Sequence, residues 1–164
     1  MPRGLYVLRS GKFKGKAIET LMFSAKGYAF LAGVARMAET DANRSFLRRV
    51  RSLIELGKNP EIKVFCKCGR PVAFISVKIE RSDIGFIGLC CAECRCSSNG
   101  YSYVPLKFSS VLNFSVVMDQ QRFLRYLKQA CGLAADERMT AQKAHDFFYP
   151  PCQVAKAKQL ELPF

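Results

Sequence analysis

Residues 65–96 read FCKCGRPVAFISVKIERSDIGFIGLCCAECRC. From Pro71 to Glu80 the side chains alternate, with Val72, Phe74, Ser76 and Lys78 on one face and Ala73, Ile75, Val77 and Ile79 on the other. A two-residue period of this kind predicts a strand. Arg81-Ser82-Asp83 supplies turn chemistry, and Ile84 to Leu89 can return as a second strand. The hairpin is bracketed by Cys66-Lys67-Cys68-Gly69 on one side and Cys91-Ala92-Glu93-Cys94 on the other.

Two cysteine knuckles at the open end of a hairpin bring four sulfurs toward one point, the plan of a zinc ribbon. Zinc takes four soft ligands in a tetrahedron, and four thiolates close the site with no position for a reacting water. Cys66, Cys68, Cys91 and Cys94 are therefore expected to hold one structural Zn²⁺. Gly69 suits the tight turn that lets backbone N–H groups approach sulfur. The first pair is C-x-C, one residue tighter than the usual C-x-x-C. Cys90 and Cys96 flank the second knuckle and could replace a ligand, although C-x-x-C is the commoner chelate spacing. Cys131 and Cys152 lie far off in sequence and read as small buried apolar residues.

Outward from this centre the charge is uneven. The 164 residues carry 26 Lys and Arg against 13 Asp and Glu, a net charge of +13. Residues 1–58 hold twelve of the bases and four of the acids, so the N-terminal third dominates the positive field. A field of this sign favours polyanions, nucleic acid first among them. Nearly half the residues are apolar, including thirteen Phe and six Tyr, enough for a sizeable core. No run of eighteen apolar residues exists, which argues against a membrane span. The opening MPRGLYVLRSGKFKGK lacks the apolar segment of a secretory leader. A reducing, cytoplasmic setting is therefore expected, where close cysteine pairs bind metal rather than form disulfides.

Within the basic third, Lys12, Lys14 and Lys16 alternate around Gly11 and Gly15. An extended segment would put all three on one side, with the glycines allowing close approach to a phosphate. No GxxxxGK[ST] string is present, so nucleotide hydrolysis is unsupported. A helix is expected from about Ala17, interrupted near Lys26-Gly27 and resuming through Tyr28, Phe30, Leu31 and Val34. A clearer helix follows, capped by Asp41 and ended by Gly57 and Asn59-Pro60. Its apolar stripe is Phe46, Leu47, Val50, Leu53 and Ile54. Arg44, Arg48 and Arg51 recur on another face with Arg49 alongside, and only Glu55 offsets them in that helix. Such a row can meet successive phosphates.

The string SGKFKGKAIETLMFSAKGYAFLAGV resembles small modules of the form G-K-[YF]-K-G-K…[LI]-E-x-L…GY-x-x-L, found in phage and bacterial proteins and at the end of exodeoxyribonuclease X-like enzymes. The likeness covers about residues 9–35 and implies a DNA-metabolism setting. Nuclease chemistry does not carry over, because the acidic metal-binding exonuclease domain is missing.

Beyond the hairpin, Tyr101 to Phe108 reads as a strand. Asp119 is expected to cap a helix running to about Ala130, with Phe123, Leu124 and Leu127 inward and Gly132 at its end. Thr140 starts a short helix holding the one histidine, His145. The chain closes on Gln159-Leu160-Glu161-Leu162-Pro163-Phe164. This is similar to the hexapeptide QLxLx[LF] by which bacterial proteins bind the DNA sliding clamp. The resemblance implies that Gln159 bonds at a pocket rim while Leu160, Leu162 and Phe164 fill apolar pockets. The bland alternative is a tail folded back on its own core.

The expected architecture is α+β. A basic helical module spans 1–58, a zinc ribbon 59–108, C-terminal helices 109–150, and a tail 151–164. The expected role is a non-enzymatic DNA-binding accessory protein, phage- or mobile-element-encoded, tethered to the sliding clamp. DNA is favoured over RNA. The alternative is an interaction or inhibitor protein that occupies a host replication or transcription complex without touching nucleic acid. Catalysis is not expected: the zinc would be saturated, no paired acidic motif exists, and nothing in the sequence brings Cys131 or Cys152 to His145.

Overall fold

The alternating segment does form the centre of a sheet. In the computed structural model, which describes residues 4–80, 83–95 and 100–150, β1 (Phe74–Glu80) pairs antiparallel with β2 (Asp83–Cys90) on one side and with β3 (Tyr101–Pro105) on the other. Ile75 lies opposite Leu89 and Val104, and Val77 opposite Phe86, so these positions share one face. Ile75 and Val77 are buried there. The register slips by one residue between Ser76 and Val77, leaving Ile87 as an extra residue on β2. Arg81, Ser82, Cys96, Cys152 and the terminal hexapeptide lie outside the described residues.

The other elements are α1 (Ile18–Leu21), α2 (Ala25–Ala35), α3 (Arg44–Lys58), a 3₁₀ turn (Phe108–Asn113), α4 (Val117–Ala130) and α5 (Ala141–Phe148). Helices and one small antiparallel sheet make the fold α+β. No described helix is long and apolar enough to cross a membrane. The third strand ends at Pro105, earlier than Phe108, because the chain tightens into the 3₁₀ turn that buries Phe108 and Val111.

Several boundaries differ from those expected. The helix break falls at Met22–Ser24 rather than at Lys26-Gly27. Ser24 caps α2 by accepting from the Gly27 N–H at 3.1 Å. Gly27 lies inside that helix and lets it pass close to Leu21, whose carbonyl oxygen a Cβ would strike. Asp41 does not cap α3. Asn43 is the cap residue, and its side chain closes the preceding turn by accepting from Thr40 N–H and donating to the Ala38 carbonyl. Gly57 sits within α3 against Met22, and the helix stops at Asn59, before Pro60. Asp119 falls in the first turn of α4, where its negative charge complements the helix dipole. Thr140 caps α5 as expected.

The core is one continuous cluster. Ile18, Leu21, Leu31, Leu47, Val50 and Leu53 from the N-terminal helices join Val72, Ile75 and Val77 from the sheet and Phe108, Phe123, Leu127 and Phe148 from the C-terminal part. Phe23 links the ends of the chain, with its ring 5.1 Å from Phe108 and 5.4 Å from Phe147. On the far side, Phe86 of β2 stacks on Tyr126 of α4 at 5.8 Å. The sheet is thus covered on one face, and at its knuckle-bearing end Cys66 packs against the core while Cys68 and Cys94 reach the surface.

Candidate metal centre

The first knuckle is a closed loop. The Cys66 N–H donates to the Arg70 carbonyl at 2.7 Å, and the Gly69 N–H donates to the Cys66 carbonyl at 2.8 Å. Gly69 has φ +83°, a left-handed conformation that reverses the chain immediately after Cys68. This sharp reversal lets the short C-x-C spacing work. Pairing of Phe65 with Pro71 and of the Ala73 N–H with the Cys90 carbonyl then lays the loop beside the end of β2. In the second knuckle the Cys94 N–H points at the Cys91 sulfur, 3.3 Å away. An ion pair at 2.7 Å between Arg70 and Glu93 ties the two loops together.

The result is a group of four sulfurs, from Cys66, Cys68, Cys91 and Cys94, all within 4.8 Å of one another. Cys68 and Cys91 approach to 3.4 Å, and all four are free of disulfides. A tetrahedron with Zn–S bonds of about 2.3 Å has sulfur–sulfur edges of about 3.8 Å, so the spacing fits a coordinated ion. Cys91 is buried and Cys68 and Cys94 are exposed, so the site sits at the surface with one side sealed. Cys90, its chain neighbour, is not part of the group.

The electrostatics also call for a cation. Backbone N–H groups of Cys68 and Cys91 aimed at Cys66 pull its thiol down to about 6. Cys94 is pushed up to about 12 by its sulfur neighbours Cys68, Cys91 and Cys66, which oppose another negative charge among them. Four sulfurs this close cannot all ionise unless a metal ion shares the charge.

The other sequence-predicted residues are scattered over the N-terminal body. Lys12, Lys14 and Lys16 do not line an extended segment. They sit on a loop of successive turns, closed by Leu8 N–H to the Lys16 carbonyl and Gly15 N–H to the Leu8 carbonyl. Gly11 and Gly15 both have φ +79°, which ends the alternation the sequence suggested. All three lysines are exposed.

The arginine row is more engaged than its helix alone indicates. Glu39 lies among Arg44, Arg48 and Arg51 at 3.1, 3.3 and 3.1 Å, and Arg44 also reaches Asp41 at 2.6 Å. Arg51 further donates to the Ala35 and Met37 carbonyls at the end of α2. Arg49 turns inward, with its side chain 15% exposed, and pairs at 2.6 Å with the fully buried Glu19. Glu55, the acid expected to offset the row, instead pairs with Lys58. Arg49 is thus a structural ion pair rather than part of an outer row. Glu19 and Glu39 carried no signal at helical spacing, because each meets α3 from another segment.

Cys131 is buried beneath the end of α4, and burial pushes its thiol up to about 12. At neutral pH it holds its proton and is no nucleophile. His145 instead lies beside Asp146 and Tyr149.

No protein-family model, no curated protein and no solved structure matches the chain.

Proposed function

We propose that the protein is a non-enzymatic DNA-binding accessory protein, with one structural Zn²⁺ on Cys66, Cys68, Cys91 and Cys94. The observation that carries the DNA reading is the +13 charge, concentrated in the N-terminal third where Lys12, Lys14 and Lys16 stand exposed on a glycine-turned loop. Lysines on such a loop contact backbone phosphate without reading sequence. Arg44 and Arg48, half-exposed or more, would extend the contact. The metal would stiffen the hairpin and leave no open coordination position for catalysis.

Each phosphate contact gives duplex binding a salt slope of about −0.9 on logarithmic axes. Replacing all three lysines by alanine should cut the slope by about 2.7. A salt titration of wild-type binding that stays flat would rule the phosphate grip out. Elemental analysis of purified protein should find one zinc per chain.

The tail reading belongs to the same proposal. Residues 159–164 would dock on a bacterial sliding clamp, and a second contact on one chain raises the effective concentration of the first. Deleting them should abolish recovery of clamp in a pull-down while leaving duplex affinity in place.

One observation favours the alternative, an interaction or inhibitor protein that needs no nucleic acid. Glu39 and Asp41 already neutralise much of the arginine row. Purified protein that captures clamp but no DNA at low salt would decide for that alternative.

A further inference from the structure

Among the described residues, the face of the sheet turned away from the core is partly open to solvent. Across it run three rows set by strand register: Cys90, Phe74 and Pro105; Gly88, Ser76 and Tyr103; and Gly85, Lys78 and Tyr101. β3 contributes two tyrosines, while β2 contributes glycines. A side chain built on Gly88 would find nothing within 4 Å, so the floor beside Ser76 is open. Above the first two rows lies Arg95, its guanidinium 5.3 Å from the Phe74 ring and 5.9 Å from the Tyr103 ring. Lys78 is half-buried in the third row, its side chain paired with that of Glu80.

We propose that this face is a stacking platform for single-stranded DNA, with Tyr101 and Tyr103 receiving bases and Lys78 and Arg95 receiving phosphates. The inference rests on the DNA reading above but places a second contact on a different surface. Aromatic rings interleaved with cations are the means by which proteins hold unpaired bases, since every base has a flat face and every linkage a negative charge.

Spacing selects a single strand over a duplex. Tyr101 and Tyr103 are two residues apart on one strand, about 6.8 Å. Stacked bases in a duplex rise about 3.4 Å, so adjacent bases can reach both rings only when they are spread apart. Gly88 leaves room for the backbone beside Ser76, while at the Gly85 end the exposed Ile87 side chain adds an apolar edge, 4.0 Å from where a Gly85 side chain would begin. Arg95 already lies over two rings, 5.3 and 5.9 Å from their centroids, and a guanidinium so placed can also meet the face of a base. Glu80 and its cross-strand neighbour Asp83 are acids at the hairpin end of this face, and Lys78 is bound to Glu80 only as a solvent-accessible pair, readily exchanged for phosphate.

The test uses the full chain with labelled twelve-nucleotide probes: oligothymidylate, its oligouridylate counterpart and a DNA duplex, each read by fluorescence anisotropy. Tyr101→Ala and Tyr103→Ala should each weaken oligothymidylate binding roughly tenfold and leave duplex binding within about twofold. The Tyr→Phe variants should keep parental affinity. Gly88→Val, which fills the open floor with a residue suited to a strand, should also block the oligothymidylate. Ultraviolet crosslinking of the wild-type protein to oligothymidylate should mark Tyr101 or Tyr103, a readout that needs no variant to fold.

The proposal is overturned if the double alanine variant, with parental zinc content and melting temperature, binds oligothymidylate as the parent does. Crosslinks confined to other residues, or tighter binding of oligouridylate, also overturn it. Duplex binding without oligothymidylate binding sinks this inference alone. Absence of binding to either DNA probe sinks the DNA reading with it.

Discussion

Glu19 has no exposed surface, and Arg49 is its one charged partner among the described residues. One carboxylate oxygen and the Arg49 Nε make no hydrogen bond, while the guanidinium lies 5.9 Å from the Tyr6 ring. A buried pair this incompletely satisfied gains little over apolar side chains, but breaking it strands a charge. Arg49→Met should therefore cost about 3–5 kcal/mol in urea unfolding, and Glu19→Met in the same chain should restore most of it. A single variant as stable as the parent would contradict the pairing. Cys131 gives a pH-dependent counterpart. Its thiol is raised from an ordinary 9.0 to about 12 by burial. Between those values the unfolded chain releases the proton and the folded chain keeps it, so stability falls as pH rises through the window. The stability advantage of wild type over Cys131→Ala should narrow from pH 9 upward in denaturant titrations and stay constant below it. At this scale the four clustered cysteines were legible from spacing, because a chelate has a short sequence signature. The partners of the arginines were not: Glu19 and Glu39 meet them through folds of the chain that no local period encodes.

At the scale of elements, two glycines in α2 make opposite predictions. Gly27 passes so close to Leu21 that a methyl group would strike its carbonyl oxygen and its Cα. Overpacking costs about 1–3 kcal/mol against a helix-propensity gain of about 1 kcal/mol, so Gly27→Ala should destabilise. Gly33 in the same helix is exposed with nothing within 4 Å of the added carbon. Gly33→Ala should stabilise by about 1 kcal/mol. Thermal melts of the two variants moving in the same direction would refute the account. The pair also explains why the helix break was misplaced by sequence. A glycine in a polar dipeptide looks like an interruption, whereas here it permits a close crossing fixed by tertiary packing. The stripe of α3 was readable because Leu47, Val50 and Leu53 recur at helical spacing and all three are buried. The strands of the hairpin were readable for the same kind of reason, since the period of two survives wherever one face is covered.

For the whole molecule, the decisive question is how far the influence of a metal ion held by these cysteines would reach. Cys68 and Cys94 are exposed, which on its own would suggest a separable appendage. Their hairpin does not stop at the surface, however. Val72 follows the first knuckle by a few residues and is buried in the same cluster as Leu53, Phe123 and Leu127. Ile75 and Val77 continue that burial, and each fully buried side chain of this type contributes about 1.5–3 kcal/mol. Without a metal, Cys66, Cys68, Cys91 and Cys94 are left within 4.8 Å of one another with nothing to share their charge, and the open end of the hairpin loses its closure. Loosening there withdraws β1 from a core that the helices also need. Chelation should therefore lower the melting temperature of the entire chain in a single calorimetric transition, with helical and near-ultraviolet signals lost together. Re-addition of zinc should restore the parental transition. Two resolved transitions after chelation, with the helical one unmoved, would show that the helices stand without the sheet and that the shared core does not couple them.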